Sequence, residues 1–166
     1  TFPAVSLGWN IANEKFMKNV DFLDMLKLRA GYGVTGTIPG SSYMSLTRLD
    51  LGGYAYYKGQ WITQLKASGN GNPDLRWEKK KEFNLGLDYA FLNDRISGSI
   101  DYYVRTTDDL IWNYKVSVPP YVSSNIEANA GSIRNSGLEV SVNAVPVQTK
   151  DFTWNTNVNF STNKSK

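Results

Sequence analysis

The sequence contains no cysteine and no histidine. Without cysteine there is no disulfide to staple the chain and no thiolate for nucleophilic or redox chemistry. Without histidine the commonest metal ligand and general base are missing, and every Ser-His-Asp arrangement is excluded. No run of ~18 apolar residues offers a helix long enough to cross a bilayer, and no secretory leader pattern opens the chain. Excess charge is lacking too. The 18 basic and 15 acidic residues leave +3, too weak a field to argue for nucleic acid. Lys79-Lys80-Lys81 is flanked by Glu78 and Glu82 and reads as a solvated strand end rather than a phosphate site.

Aromatic residues are abundant instead. They reach 13% in a chain only 41% hydrophobic, with ten Tyr and five Trp. Such rings suit boundaries where one end is dry and the other wet. The 166 residues suffice for one domain. The chain opens TFPAV without Met and stops at NKSK in mid-pattern, so a piece of something longer is expected.

The clearest pattern is FNLGLDYAFLNDRISGSIDYYV, Phe83 to Val104. Phe83, Leu85, Leu87, Tyr89 and Phe91 alternate with Asn84, Gly86, Asp88 and Ala90. After the Leu92–Arg95 turn, Ile96, Gly98, Ile100, Tyr102 and Val104 alternate with Ser97, Ser99, Asp101 and Tyr103. Period two means a hairpin with one apolar and one polar face. The same pattern predicts six strands, near residues 4–11, 26–35, 77–91, 95–105, 137–146 and 152–161. Asn13 to Met25 has nearer to helical spacing and predicts a short, partly helical connection capped by Asn13. A tight turn is expected at Val147–Asp151. Two long connections, 36–76 and 106–134, read as loops.

Tight connections thus fall at one end of the sheet and long loops at the other, as in an outer-membrane barrel. Four apolar columns span nine residues each, Leu26–Val34, Phe83–Phe91, Ile96–Val104 and Phe152–Phe160, enough for a tilted transmembrane strand. Aromatics sort by depth. Trp9, Tyr89, Phe91, Phe152 and Trp154 lie at the short-turn end, and Tyr32, Phe83, Tyr102 and Phe160 at the long-loop end. A two-layer soluble protein would alternate as well, but has no reason to sort its loops and rings. The fold class is therefore all-β, an antiparallel up-and-down transmembrane β-barrel. Six strands cannot close one, so further strands are expected from a larger barrel.

The polar face carries the candidate lumen-facing residues Arg29, Asn84, Asp88, Asp101, Arg105, Glu139, Asn143, Asn155 and Asn157. They are expected to be wetted or to touch a plug. Trp61, Trp77, Trp112, Tyr114 and Tyr121 are strand-end or loop rings. They read as packing and interface residues, or as flat surfaces for a ligand or lid. Gly31–Gly36 matches G-x-G-x-x-G literally, yet lies in a strand and ends in a turn, against a dinucleotide site. Asp108-Asp109 has no spaced oxygen ligands after it, against a calcium loop. No catalytic group, metal site or cofactor is expected.

FPAVSLGWNIANEKFM with FLDMLKLRAGYGVTG, then NPDLRWEKKKEFNLGLDYAFLNDRISGSIDYYVRTTDDLI and NAGSIRNSGLEVSVNA, resemble in order the SusC/RagA-type TonB-dependent outer-membrane transporters of Bacteroidota. The resemblance implies a barrel of about 22 strands closed by a plug. It also implies import of glycans or oligopeptides, energy from TonB through the N-terminal region, and a SusD-like surface lipoprotein on the extracellular side. By the same resemblance, plug, TonB box and C-terminal strand are expected to lie outside this chain. An outer-membrane location in contact with lipid follows, and enzymatic activity does not. The competing expectation is a structural or adhesive barrel whose long loops bind partner proteins.

Overall fold

A computed structural model describes residues 2–40 and 42–166; Thr1, and Ser41 in the first long connection, lie outside the described residues. The chain divides into two compact units, Thr1–Thr35 with Lys80–Thr106 and Ile133–Lys166, and Gly36–Lys79 with Thr107–Ser132.

The first unit is a sheet of β1 (Ala4–Asn10), β2 (Leu23–Thr37), β5 (Glu78–Phe91), β6 (Ile96–Asp108), β9 (Ser132–Gln148) and β10 (Thr153–Ser165), adjacent in that order. It is an open up-and-down sheet. Its register is what the alternation demands. Trp9 faces Leu28, Leu7 faces Ala30 and Val5 faces Tyr32 across β1 and β2. Val158 faces Val142, and Phe160 faces Val140, across β10 and β9. Polar residues meet on the other side, Gly8 with Arg29, Asn10 with Lys27, and Asn157 with Asn143. A slip of one residue would set every apolar side chain on the polar face.

No second layer of the first unit lies on that apolar face among the described residues. Leu7 is 73% exposed and Val158 56%, and Ala90 is the one buried hydrophobic residue among the described residues. A soluble sandwich must bury its apolar sheet face against a second layer. Columns left exposed or half-exposed along the strands instead fit a wall whose apolar side meets hydrocarbon.

The tight end of the sheet is bolted by main-chain geometry. Leu92, Asn93 and Asp94 all take left-handed φ of 57–60°. The Leu92 N–H donates to the Phe22 carbonyl at 2.9 Å, and the Asp94 N–H to Asp24 Oδ2 at 3.1 Å. The Arg95 guanidinium donates to the carbonyls of Val145 and Pro146. Phe22 stacks on Phe91 at 6.2 Å. Between β9 and β10 the register shifts between Trp154 and Thr156, setting Val145 and Pro146 against Asn155. Proline has no N–H for the ladder, and a bulge is where a strand tolerates it.

Several boundaries differ from the sequence reading. The first connection is partly helical, as expected, but starts earlier and takes the form of two 3₁₀ turns, Ile11–Asn13 and Lys15–Met17. Asn13 ends the first turn and does not cap; Asn10 and Glu14 stand at the caps, and neither side chain makes a capping bond. The Trp9 indole N–H donates to Glu14 Oε1 at 3.0 Å, and β2 already begins at Leu23, leaving no length for an α-helix. The last turn falls at Thr149–Phe152, closed by the Thr149 N–H to the Phe152 carbonyl at 2.7 Å, rather than at Val147–Asp151. β2, β9 and β10 run beyond the predicted ends.

The second unit replaces the two expected loops with hairpins, β3 (Leu49–Tyr57) with β4 (Gln60–Ala67), and β7 (Ile111–Lys115) with β8 (Asn125–Asn129). Lys58 and Gly59 turn the first with φ of 49° and 85°, the sign that a two-residue hairpin turn requires. Side chains stitch the 70–76 segment to β8. Asn70 donates to the carbonyls of Ser123 and Asn125 and accepts from the N–H groups of Val122 and Ser123. Asn72 donates to the Glu127 carbonyl at 2.9 Å. Asn129 accepts from the Arg76 N–H and donates to the carbonyls of Arg76 and Asp109. These amides occupy the hydrogen-bonding edge that a short exposed strand would otherwise leave open.

Candidate substrate path and loop surface

The polar side of the sheet is a set of cross-strand charge pairs. Arg29 on β2 reaches β5 and β6. Its Nε donates to Asp88 Oδ2 at 2.7 Å, and its Nη2 to Asp88 Oδ1 at 2.8 Å and Asp101 Oδ1 at 3.0 Å. Gly86 makes the room. A Cβ there would lie 2.5 Å from Asp101 Oδ1 and 2.7 Å from Arg29 Nη2. Arg105 on β6 holds Glu82 on β5 by two bonds of 2.9 and 3.2 Å. Both guanidinium–carboxylate forks are bidentate, the geometry that fixes direction as well as charge.

The remaining candidates form smaller groups. Ser99 and Ser141 share a hydroxyl–hydroxyl bond of 3.0 Å. The Asn157 amide donates to Asn143, and Asn159 donates to Asn157 at 2.8 Å. Glu139 lines a depression of about 350 Å³ with Asp101, Ser141, Asn159 and Ser161. Asn84 lines another of about 360 Å³ with Gly31, Gly33, Lys80 and Glu82. Asn155 stands at the register shift. The wall thus offers fixed donors and acceptors with its strongest charges already paired. Among the described residues no group of three metal-ligating side chains occurs.

Arg29→Gln should lower unfolding stability by about 1–2 kcal/mol, because Asp88 and Asp101 lose their shared cation in a half-exposed setting. Asp88→Asn made alongside should recover part of the loss, measured as a double-mutant cycle in detergent. Strict additivity of the two changes would show that the fork contributes nothing.

The loop aromatics do not converge on one point. Trp61 packs on Tyr56 at 5.3 Å. Trp77 lines a cavity of about 360 Å³ with Ile38, Pro39, Tyr43 and Leu75. Trp112 and Tyr114 share one face of β7, two residues apart. Tyr121 follows the Pro119-Pro120 pair and is 43% exposed. One face of the β3–β4 hairpin, missed by composition, is continuous and bare. Leu49, Leu51, Tyr54 and Tyr56 lie beside Trp61 and Leu65 there, and Tyr54 is 74% exposed.

Comparison with known proteins gives this arrangement a context. A family model described as "TonB dependent receptor-like, beta-barrel" matches residues 1–166. TonB-dependent receptor P39 of Formosa agariphila is 42% identical over 99% of this chain, and TonB-dependent receptor SusC of Bacteroides thetaiotaomicron is 41% identical over 100% of it. The chain spans only 15% and 17% of the length of those two relatives. Among solved structures, the RagAB peptide transporter superimposes with a TM-score of 0.83 at 31% identity, covering 99% of this chain and 18% of that one. The peptide importer in its open-open state gives 0.84 at 32% identity, covering 99% and 17%. With its exposed apolar columns and paired polar wall, the chain belongs to the TonB-dependent receptor-like β-barrel family.

Proposed function

We propose that this chain is a section of the barrel wall of an outer-membrane importer for glycans or oligopeptides. The observation that carries the reading is similarity over the whole chain to both SusC and a RagAB peptide transporter. In this reading the apolar columns meet outer-membrane lipid and the long connections face the cell exterior. The face bearing Arg29, Asn84, Asp88, Asp101, Arg105, Glu139, Asn143, Asn155 and Asn157 borders the path. Energy reaches the parent protein through TonB, and a SusD-like lipoprotein sits on the loops. Trp61, Trp77, Trp112, Tyr114 and Tyr121 are the rings offered to substrate or to that lid, because flat apolar area suits sugar and peptide faces. No bond of the substrate is broken.

Deleting the gene for the parent protein in its native host should abolish uptake of one class of labelled oligosaccharide or peptide, and a lipoprotein should co-purify with the tagged parent. Unchanged uptake across both substrate panels would sink the importer reading. The bare β3–β4 face favours one rival, an adhesive barrel. A partner bound by the parent without any import would establish it.

A further inference from the structure

Phe160 and Val140 oppose each other on the apolar face of β10 and β9. Toward the long-connection end, the next opposed pairs on that face are Thr162 with Leu138, then Lys164 with Ser136. The ladder continues to Lys166 and Arg134, whose backbones exchange two hydrogen bonds of 2.9 Å. Register alone therefore puts three cations on the side of the sheet that carries Phe160 and Val140. Arg134, Lys164 and Lys166 are all exposed. With Ser136 they line one open depression of about 220 Å³, and no acidic side chain is among the described residues that line it. The opposite end of the same column closes apolar, with Trp154 facing Val147.

Depth gives the cluster a meaning. Lys164 lies four residues past Phe160, roughly 13 Å along the strand and about 9 Å along the bilayer normal at a ~45° tilt. That is headgroup level, just beyond the aromatic girdle. Three like charges in one depression repel one another unless an anion joins them. We propose that Arg134, Lys164 and Lys166 hold the phosphate groups of an outer-leaflet glycolipid, with its acyl chains along Phe160, Val158 and Val140. This rests on the reading that the long connections face outward. A protein partner is the weaker fit, because the cations continue the column that meets hydrocarbon rather than the face that lines the path.

The test uses the full-length parent protein in mild detergent, titrated with diphosphoryl lipid A and followed by native mass spectrometry. Each cation near an anionic headgroup contributes about a fivefold factor. A triple variant, R134Q with K164Q and K166Q, should therefore bind on the order of a hundredfold more weakly. Lys150→Gln, in the short β9–β10 turn, should bind as the unmodified protein does. Dephosphorylated lipid A should bind both weakly, and millimolar inorganic phosphate should not displace the lipid. Unchanged lipid A affinity in the triple variant overturns the proposal, as does full displacement by inorganic phosphate. So does loss of a co-purifying lipoprotein while lipid binding persists. Heat-dependent gel mobility separates the two readings. A parent without a heat-modifiable barrel sinks the membrane reading and this site with it, whereas equal lipid affinity in intact barrels sinks the site alone.

Discussion

Gly98→Val should lower the unfolding stability of the barrel by about 3–5 kcal/mol, among the largest effects expected of one residue. Gly98 lies on the apolar face of β6, between Ile96 and Ile100. The Tyr89 ring from β5 extends over it toward β9, where its hydroxyl donates to the Ser141 carbonyl at 3.4 Å. A Cβ at position 98 would sit 2.7 Å from the Tyr89 hydroxyl and collide with the Ser141 carbonyl oxygen. The first obstacle is a side chain that can swing away. The second is backbone, so β6 and β9 must part. Parting them breaks both the Ser99 N–H bond to Ser141 Oγ and the Tyr89 hydroxyl bond to the Ser141 carbonyl. Gly8→Ala is the control. Its Cβ meets only the Lys27 Cε at 3.5 Å, an ordinary contact, and the change should stay within ~0.5 kcal/mol. Tyr89→Phe removes the hydroxyl alone and should cost under ~1 kcal/mol. Urea unfolding in detergent measures all three. Equal midpoints for Gly98→Val and Gly8→Ala would mean that β6 and β9 do not approach as closely as described.

Such crossings were hidden in the sequence for a physical reason. Alternation reports which face a residue occupies, because lipid and water select opposite chemistry on a period of two. It does not report which residue lies across the sheet. Arg29 and Asp88 are 59 residues apart, and nothing in their local sequence pairs them. Gly86, Gly98 and Gly137 look alike in a strand, yet Gly137 lies under Tyr103, with the ring Cζ 2.7 Å from where a Cβ would stand. The central strands were legible and their outer ends were not. Past Phe160, β10 continues through Thr162, Asn163 and Lys164, where the apolar alternation stops. The β3–β4 hairpin was masked by its register shift between Leu51 and Gly53. The apolar parity moves from Leu49 and Leu51 to Tyr54 and Tyr56, so a strict period-two reading loses it. β7 and β8, five residues each, are too short to establish a period. Asn70, Asn72 and Asn129 carry only a turn-like composition, and their role arises largely from main-chain groups more than fifty residues away.

Ile100→Arg against Asn84→Arg tests what the two faces meet. Ile100 is the middle of five apolar-face positions on β6, Ile96 to Val104, and is 38% exposed. Asn84 lies on the other face of β5, among Lys80, Glu82 and Gly33. If the apolar face contacts the bilayer near its midplane, arginine at position 100 must bring its charge into hydrocarbon or bend toward an interface, costing ~2–4 kcal/mol. At position 84 the guanidinium enters a wetted, partly charged surface, and the cost should stay below ~1 kcal/mol. The difference, not either value alone, carries the test, because any arginine adds side-chain entropy and bulk to a strand. It should also depend on the medium. In bilayers of longer acyl chains Ile100→Arg should cost more, since the charge lies farther from water, while Asn84→Arg should not respond. Equal costs at the two sites, or no dependence on chain length, would mean that a second protein layer rather than lipid covers the columns of Leu7, Ile100 and Val158.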